Sequence, residues 1–282
     1  MAALFDWLRV FPRADRLRLS PRAPSVLRRV AIALCAAALT DAPDVRAALP
    51  DEIQVYDDSI NAPGKVGLEL HLNVTPSADP APAYPGEITT VHGVRQNLEW
   101  SYALDEHVEL GLYLPFEYTA AGQERFAGPR LRLKYIAQHG SETNPWFYGI
   151  NFEVSHVKAV FEETQDFLEV RPILGWRNAG WLVSVNPVVG VPLKPGQRTG
   201  GPDFSPSIKL SREVAEGFAI GPEYYAALGQ FSSLQPYSRQ SHTLFLALDV
   251  DRKPFIFNVA VGRALTAPAD RWTIKTIIEV PI

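Results

Sequence analysis

The chain has very few of the residues that cross-link small exported proteins or bind metals through sulfur. Its 282 residues include one cysteine, Cys35, and one methionine. A single cysteine excludes a disulfide framework and any zinc site built on cysteines. The six histidines show neither His-x-His nor His-x3-His spacing. The sequence therefore predicts no metal site and no cofactor.

The chain also lacks a long apolar run and an excess of positive charge. Its longest purely apolar stretch covers residues 30–39, whereas a membrane-spanning helix needs roughly 20 apolar residues. The mean hydropathy is -0.05, which excludes a bundle of membrane helices. The formal net charge is -4, so we expect no nucleic acid among the partners.

Arginines crowd the start of the chain, ahead of the short apolar stretch. This order is typical of a secretory signal peptide, and we predict one over residues 1–47, with a long basic n-region and cleavage after Ala47 or Ala48. Three alternatives remain open: a lipoprotein acceptor at Cys35, a twin-arginine signal at Arg28-Arg29, and a mitochondrial presequence. Sec-type export is favoured, because Cys35 follows a bulky leucine and the pattern after the arginine pair is weak.

Beyond residue 64, apolar and polar residues alternate. In KVGLELHLNVT, which begins at Lys65, every second residue is apolar. Period-two alternation indicates a β-strand with one apolar and one polar face. The pattern recurs and predicts twelve strands, near residues 65–75, 94–104, 107–118, 128–136, 146–155, 168–176, 181–186, 204–210, 218–224, 243–250, 255–262 and 272–282.

These strands predict an all-β protein that crosses a membrane. Most of them have roughly 8–12 residues, close to the 9–11 that a tilted membrane strand needs, and aromatic residues lie near their ends, as at the two interfaces of a lipid bilayer. Long and short links alternate, as in an antiparallel up-and-down β-barrel with both termini on the periplasmic side. We therefore predict a transmembrane barrel of about 12 strands over residues 65–282. A soluble periplasmic β-sandwich is the alternative.

The polar face of the predicted strands carries many charges of both signs. Such residues either pair and rigidify the barrel or form a charged constriction that selects solutes. The lumen candidates are Glu69, Arg95, Glu99, Glu109, Glu117, Arg130, Arg132, Lys134, Glu153, Glu169, Arg171, Glu223 and Lys275.

The segment before the first strand is acidic. Residues 48–64 carry four acidic residues and are predicted as a periplasmic N-terminal segment. The alternative is that they fold into the lumen against the basic residues of the fourth strand.

A lipid hydrolase would need a serine beside a histidine. The neighbours in Ser155-His156 and Ser241-His242 point to opposite faces of a strand, so we expect no enzyme.

The segments DEIQVYDDSINAPGKVGLELHLNV, VRQNLEWSYALDEHVELGLYLPFEY and GPRLRLKYIA together resemble a group of uncharacterised proteobacterial outer-membrane β-barrels. This group is akin to the barrels named after a phenol-degradation (meta) pathway. The resemblance covers roughly residues 50–282. It implies an outer-membrane protein of transporter or porin type, in contact with outer-membrane lipid and small organic solutes. It implies no catalytic residues.

The sequence thus predicts a passive channel or transporter for small solutes in the outer membrane of a Gram-negative bacterium. Two alternatives of other classes stay open: a barrel-embedded enzyme that modifies lipid, and a structural or adhesive barrel whose outer loops meet partners.

Overall fold

The computed structural model describes residues 52–194 and 201–280. The predicted signal peptide, residues 1–47, lies outside the described residues and stays a prediction. Within the described ranges, no helix is long and apolar enough to cross a membrane. The helical content there includes a single 3-10 turn, Tyr237–Arg239.

Twelve long strands account for most of the described chain. They are β1 (Val66–Ser77), β2 (Val94–Ala103), β3 (Val108–Tyr118), β4 (Arg130–Gln138), β5 (Trp146–His156), β6 (Asp166–Asn178), β7 (Trp181–Pro192), β8 (Asp203–Ala215), β9 (Phe218–Ala227), β10 (Ser241–Arg252), β11 (Phe255–Ala264) and β12 (Trp272–Val280). Three short strand pieces, Glu124–Phe126, Gly229–Gln230 and Ser233–Leu234, lie in the links.

The sheet closes on itself. Each long strand pairs antiparallel with its neighbours in sequence, and β12 pairs with β1, with Val280 opposite Leu68. Closure leaves none of the twelve long strands at a sheet edge, where lipid would not tolerate unpaired backbone groups. The predicted all-β, up-and-down barrel of about 12 strands is confirmed.

The two faces of the barrel differ sharply in chemistry. In β4, Arg130, Arg132 and Lys134 are buried, whereas Leu131 and Leu133 are exposed. Large apolar side chains are exposed outward and charged ones are buried inward, the reverse of a soluble protein. Exposed aromatics lie at both ends of the strands, and they include Tyr102, Tyr118, Trp146, Trp181 and Trp272.

Inward-facing glycines make room for aromatic rings on neighbouring strands. Phe147 on β5 lies directly opposite Gly175 on β6, and a Cβ on that glycine would lie 2.0 Å from the phenylalanine ring. Phe245 lies opposite Gly262 in the same way, where a Cβ would come within 2.4 Å of the ring. Cross-strand packing of a ring over a glycine fixes the register of the paired strands.

The links alternate in length as predicted. Three links have only two residues. One of them, between β6 and β7, is Ala179-Gly180, and both residues have positive φ, at 49° and 78°. Two such residues in a two-residue link give the type I′ turn that suits a twisted hairpin. The short links all lie at the end where β1 begins and β12 ends.

The segment before β1 lies inside the barrel over its described part. Residues 52–61 hydrogen-bond to side chains on the inward faces of several strands. The prediction of a periplasmic segment over residues 48–64 is therefore corrected for residues 52–61. The physical reason is charge, since the acidic side chains of this segment meet buried arginines.

Candidate functional site

The interior of the barrel is a network of charged side chains. All of the lumen candidates predicted from the sequence lie on inward-facing positions, where they are buried or, for Glu69 and Glu169, half-buried. Burial of charge is costly unless each group has a partner. The pairing of these residues therefore decides how much of the lumen is filled.

Arg132 on β4 joins two strands of this network. Its Nη2 lies 2.6 Å from Glu109 Oε1 on β3 and 2.9 Å from Glu99 Oε1 on β2. The contact with β2 passes over β3, where Gly111 lies directly opposite Arg132. A Cβ on Gly111 would lie 2.7 Å from Arg132 Nε, so glycine at this position leaves room for the Arg132 side chain to reach Glu99. On the same wall Arg95 Nε lies 3.2 Å from Glu117.

A second cluster lies on the opposite wall. Glu223 on β9 contacts Lys275 Nζ at 2.5 Å and Lys209 Nζ at 3.1 Å. Lys209 also lies 2.7 Å from Asp249. Lys209 and Asp249 were not among the predicted candidates. The alternation places both on the polar face, and only their mutual distance, which depends on register, shows that they belong to the cluster.

Residues 52–61 cross the lumen between these walls. A carboxylate oxygen of Glu52 lies 3.5 Å from Arg130 Nη1, and the other lies 3.7 Å from Arg171 Nη1. Tyr56 is buried, and its hydroxyl lies 2.6 Å from the hydroxyl of Tyr113. The Tyr56 ring also has Arg171 Cζ at 4.3 Å from its centroid, which is a cation–π distance.

The backbone of residues 52–61 is also hydrogen-bonded to the wall of the barrel. The Tyr56 amide donates to Asn186 Oδ1 at 2.7 Å, and its carbonyl accepts from Ser184 and Asn186. Towards the short links, Arg177 Nη2 donates to Asp57 and Asp58 at 2.9 and 2.8 Å. Although burial acts to raise the pKa of Asp57, the charges of Arg177 and Lys134 lower it to about 2, so this carboxyl is ionised near neutral pH.

A cavity of about 860 Å³ remains beside the segment. Its lining reaches the short links at residues 140–142, 178–181 and 217, and it extends inward to Glu69, Arg132 and Lys275. The cavity therefore lies at the end of the barrel where the chain enters. Its wall carries carboxylates, ammonium groups and guanidinium groups together.

One group of lumen residues has the donor set of a metal site. Glu69 and His71 on β1 and Glu99 on β2 each offer a ligand atom, and these atoms lie within 4.8 Å of one another. The sequence predicted no metal site because its six histidines show neither His-x-His nor His-x3-His spacing. Glu69-x-His71 places two donors on one face of a strand, but the third donor comes from the neighbouring strand.

The two serine–histidine neighbours make separate contacts. His156 Nδ1 lies 2.8 Å from Asp166 Oδ1, while Ser155 Oγ donates to the backbone oxygen of Phe167. His242 contacts the hydroxyl of Tyr224 and the side chain of Gln240. Neither histidine is directed at its neighbouring serine as a general base would be.

Comparison with known proteins gives a fold and no family. The fold matches an outer-membrane channel from Pseudomonas putida F1 at a TM-score of 0.54 and 12% identity, over 81% of this chain and 99% of that one. The chain has an outer-membrane β-barrel fold. No family model matches it, and no curated protein does. The narrower resemblance to the barrels named after the phenol-degradation pathway therefore stays a prediction.

Two further solved structures align less closely. The KdgM porin in complex with disordered oligogalacturonate aligns at a TM-score of 0.49 and 11% identity, over 77% of this chain and 99% of that one. The outer-membrane phospholipase A of Escherichia coli aligns at 0.45 and 12%, over 81% and 95%.

Proposed function

We propose that this protein is a passive channel for small solutes in the outer membrane of a Gram-negative bacterium, and that it works without a cofactor or a catalytic step. The observation that carries the proposal is the charged cavity inside a closed barrel. A twelve-stranded barrel is wider than the eight-stranded barrels that side chains fill completely, and narrower than the porins with an open channel. Residues 52–61 occupy part of the width that remains.

The lumen sorts solutes by charge, because its wall carries fixed basic and acidic groups in a confined space, where charges act more strongly than in bulk water. Arg130, Arg132 and Lys134 project from one strand, and the acidic segment lies against them. Arg130 and Arg132 already lie against Glu52, Glu99 and Glu109, so the balance between the two signs of charge sets which ions the lumen favours. We expect the positive charges of β4 to shift that balance toward anions.

The test is conductance in planar bilayers with a salt gradient. Replacing Arg130, Arg132 and Lys134 together with glutamine should shift the reversal potential toward cation selectivity. A matched control replaces Arg125, Lys158 and Lys253, which are exposed in links, and changes the net charge equally without touching the lumen. An unchanged reversal potential in the lumen variant, with the barrel still folded by its heat-dependent gel mobility, would refute the proposal.

The same preparation separates the alternatives. A structural or adhesive barrel would give no conductance. A lipid-modifying enzyme would hydrolyse phospholipid or lipopolysaccharide in detergent, with loss of that activity on replacing the responsible histidine.

A further inference from the structure

We propose that Glu69, His71 and Glu99 form a binding site for one divalent transition-metal cation inside the barrel. The site belongs to the chemical class of Zn²⁺, Mn²⁺ and Co²⁺ sites, which take imidazole nitrogen and carboxylate oxygen together. The inference stands apart from the channel function, since it concerns what this cluster binds and not what crosses the membrane.

Like charges face each other in this cluster. Glu69 and Glu99 are direct cross-strand partners in the pairing of β1 with β2. Like charges in that position destabilise a sheet. Glu99 is buried, and the side chain of Glu69 is 30% exposed, so water screens this repulsion only in part. A positive charge between the two carboxylates would remove the conflict.

The geometry around His71 also fits a metal ligand. Its Nε2 lies 3.2 Å from Glu99 Oε2 and 3.5 Å from Glu69 Oε2. The contact between His71 Nε2 and Glu99 Oε2 is a hydrogen bond, but it is longer than the about 2.7–2.9 Å of a charge-assisted one, and Glu69 Oε2 lies farther away still. Ligand atoms around a metal with bonds near 2.1 Å lie about 3.0–3.4 Å apart. The two observed separations are close to that spacing.

The surroundings of the three ligands suit a metal site. Arg132 Nη2 holds Glu99 through Oε1 at 2.9 Å, which leaves Oε2 directed at the histidine. Such outer contacts orient the ligands of metal sites. Glu69 lines the cavity of about 860 Å³, so an ion has a path of entry and space for water ligands. His71 is fully buried, and Nδ1 has no hydrogen-bond partner among the described residues, so the ring contacts lie on the Nε2 side.

The experiment measures metal binding to the full protein, purified from outer membranes in detergent and stripped with a chelator. Titration calorimetry with Zn²⁺ should give one site per chain. Co²⁺ should give a visible absorption band typical of a nitrogen- and oxygen-ligated ion. His71→Gln and Glu69→Gln should each weaken Zn²⁺ binding by at least about tenfold and remove the cobalt band.

The matched control is His107→Gln, since His107 is a partly exposed histidine in the short link between β2 and β3. This variant should bind as the parent does. If the parent binds no Zn²⁺ tighter than about 100 µM, or if the lumen variants bind as tightly as the parent, the proposal is overturned. Heat-dependent gel mobility reports folding of each variant. Glu69→Gln decides the question should His71→Gln fail to fold, because Glu69 is the less buried ligand.

Discussion

Lys275 is one of the most deeply buried charged side chains of the barrel. Its ammonium group contacts Glu223, the carbonyl oxygen of Ile53 and the hydroxyl of Tyr225. An ammonium group transferred from water to this interior loses hydration worth several kcal/mol. The barrel therefore holds the charge only because three oxygen atoms replace the lost water.

Removing this charge alone should destabilise the barrel. Lys275→Met leaves Glu223 buried with Lys209 as its remaining ionic partner, and we expect a loss of about 3 kcal/mol in the free energy of unfolding. The double variant Glu223→Gln/Lys275→Met should recover part of this loss, because the uncompensated carboxylate is gone. Urea unfolding in lipid vesicles measures both. Lys253→Met, in an exposed turn, should change little, and an equal loss there would contradict the argument.

Alternation identifies which residues face inward but not which of them meet. Glu109, Arg132 and Glu99 are each recognisable from the sequence as inward-facing. The contact of Arg132 with Glu99 crosses the intervening strand β3. It requires Gly111 to lie directly opposite Arg132, so that the guanidinium has room to pass. Register follows from turn geometry and packing along both strands, so one strand's sequence does not reveal it.

Residues 52–61 are the segment that occupies part of the width of the lumen. They have no regular secondary structure, and their order comes from contacts with at least five strands. The sequence predicted a periplasmic segment, with the lumen as the alternative, because an acidic stretch without periodicity is typical of a solvated tail. What decides it is the basic surface formed by Arg130, Arg171 and Arg177, which exists only once the barrel has closed.

Replacing residues 52–61 with a glycine–serine linker of equal length should raise single-channel conductance. The linker lacks the side chains of Glu52, Tyr56 and Asp58 that fix the segment across the lumen, so it leaves more of the width open to ions. A matched control replaces residues 80–85 in the link between β1 and β2, which lies at the other end of the barrel. Equal conductance in parent and lumen variant, with both folded, would show that the segment does not restrict the path.

The outer surface of the whole barrel carries a continuous set of exposed apolar side chains. Leu131, Leu133, Leu244 and Leu246 are examples. A water-soluble protein of this size rarely exposes so much contiguous apolar surface. This property could be predicted well from the sequence, because period-two alternation over twelve strands fixes the two faces independently of register.

A charge placed on this surface therefore distinguishes a membrane barrel from a soluble one. Leu246→Arg lies near the middle of β10, where the leucine is 61% exposed. At the midplane of a bilayer the substitution should cost about 2–4 kcal/mol, whereas on a water-exposed surface it should cost within about 0.5 kcal/mol. Leu265→Arg, in the link after β11, is the control, since charge at the bilayer edge costs little. Unfolding in lipid vesicles gives both values, and equal small losses would contradict the membrane assignment. A large loss confined to Leu246 would locate the hydrocarbon region on β10, because the two leucines differ chiefly in their depth along the barrel.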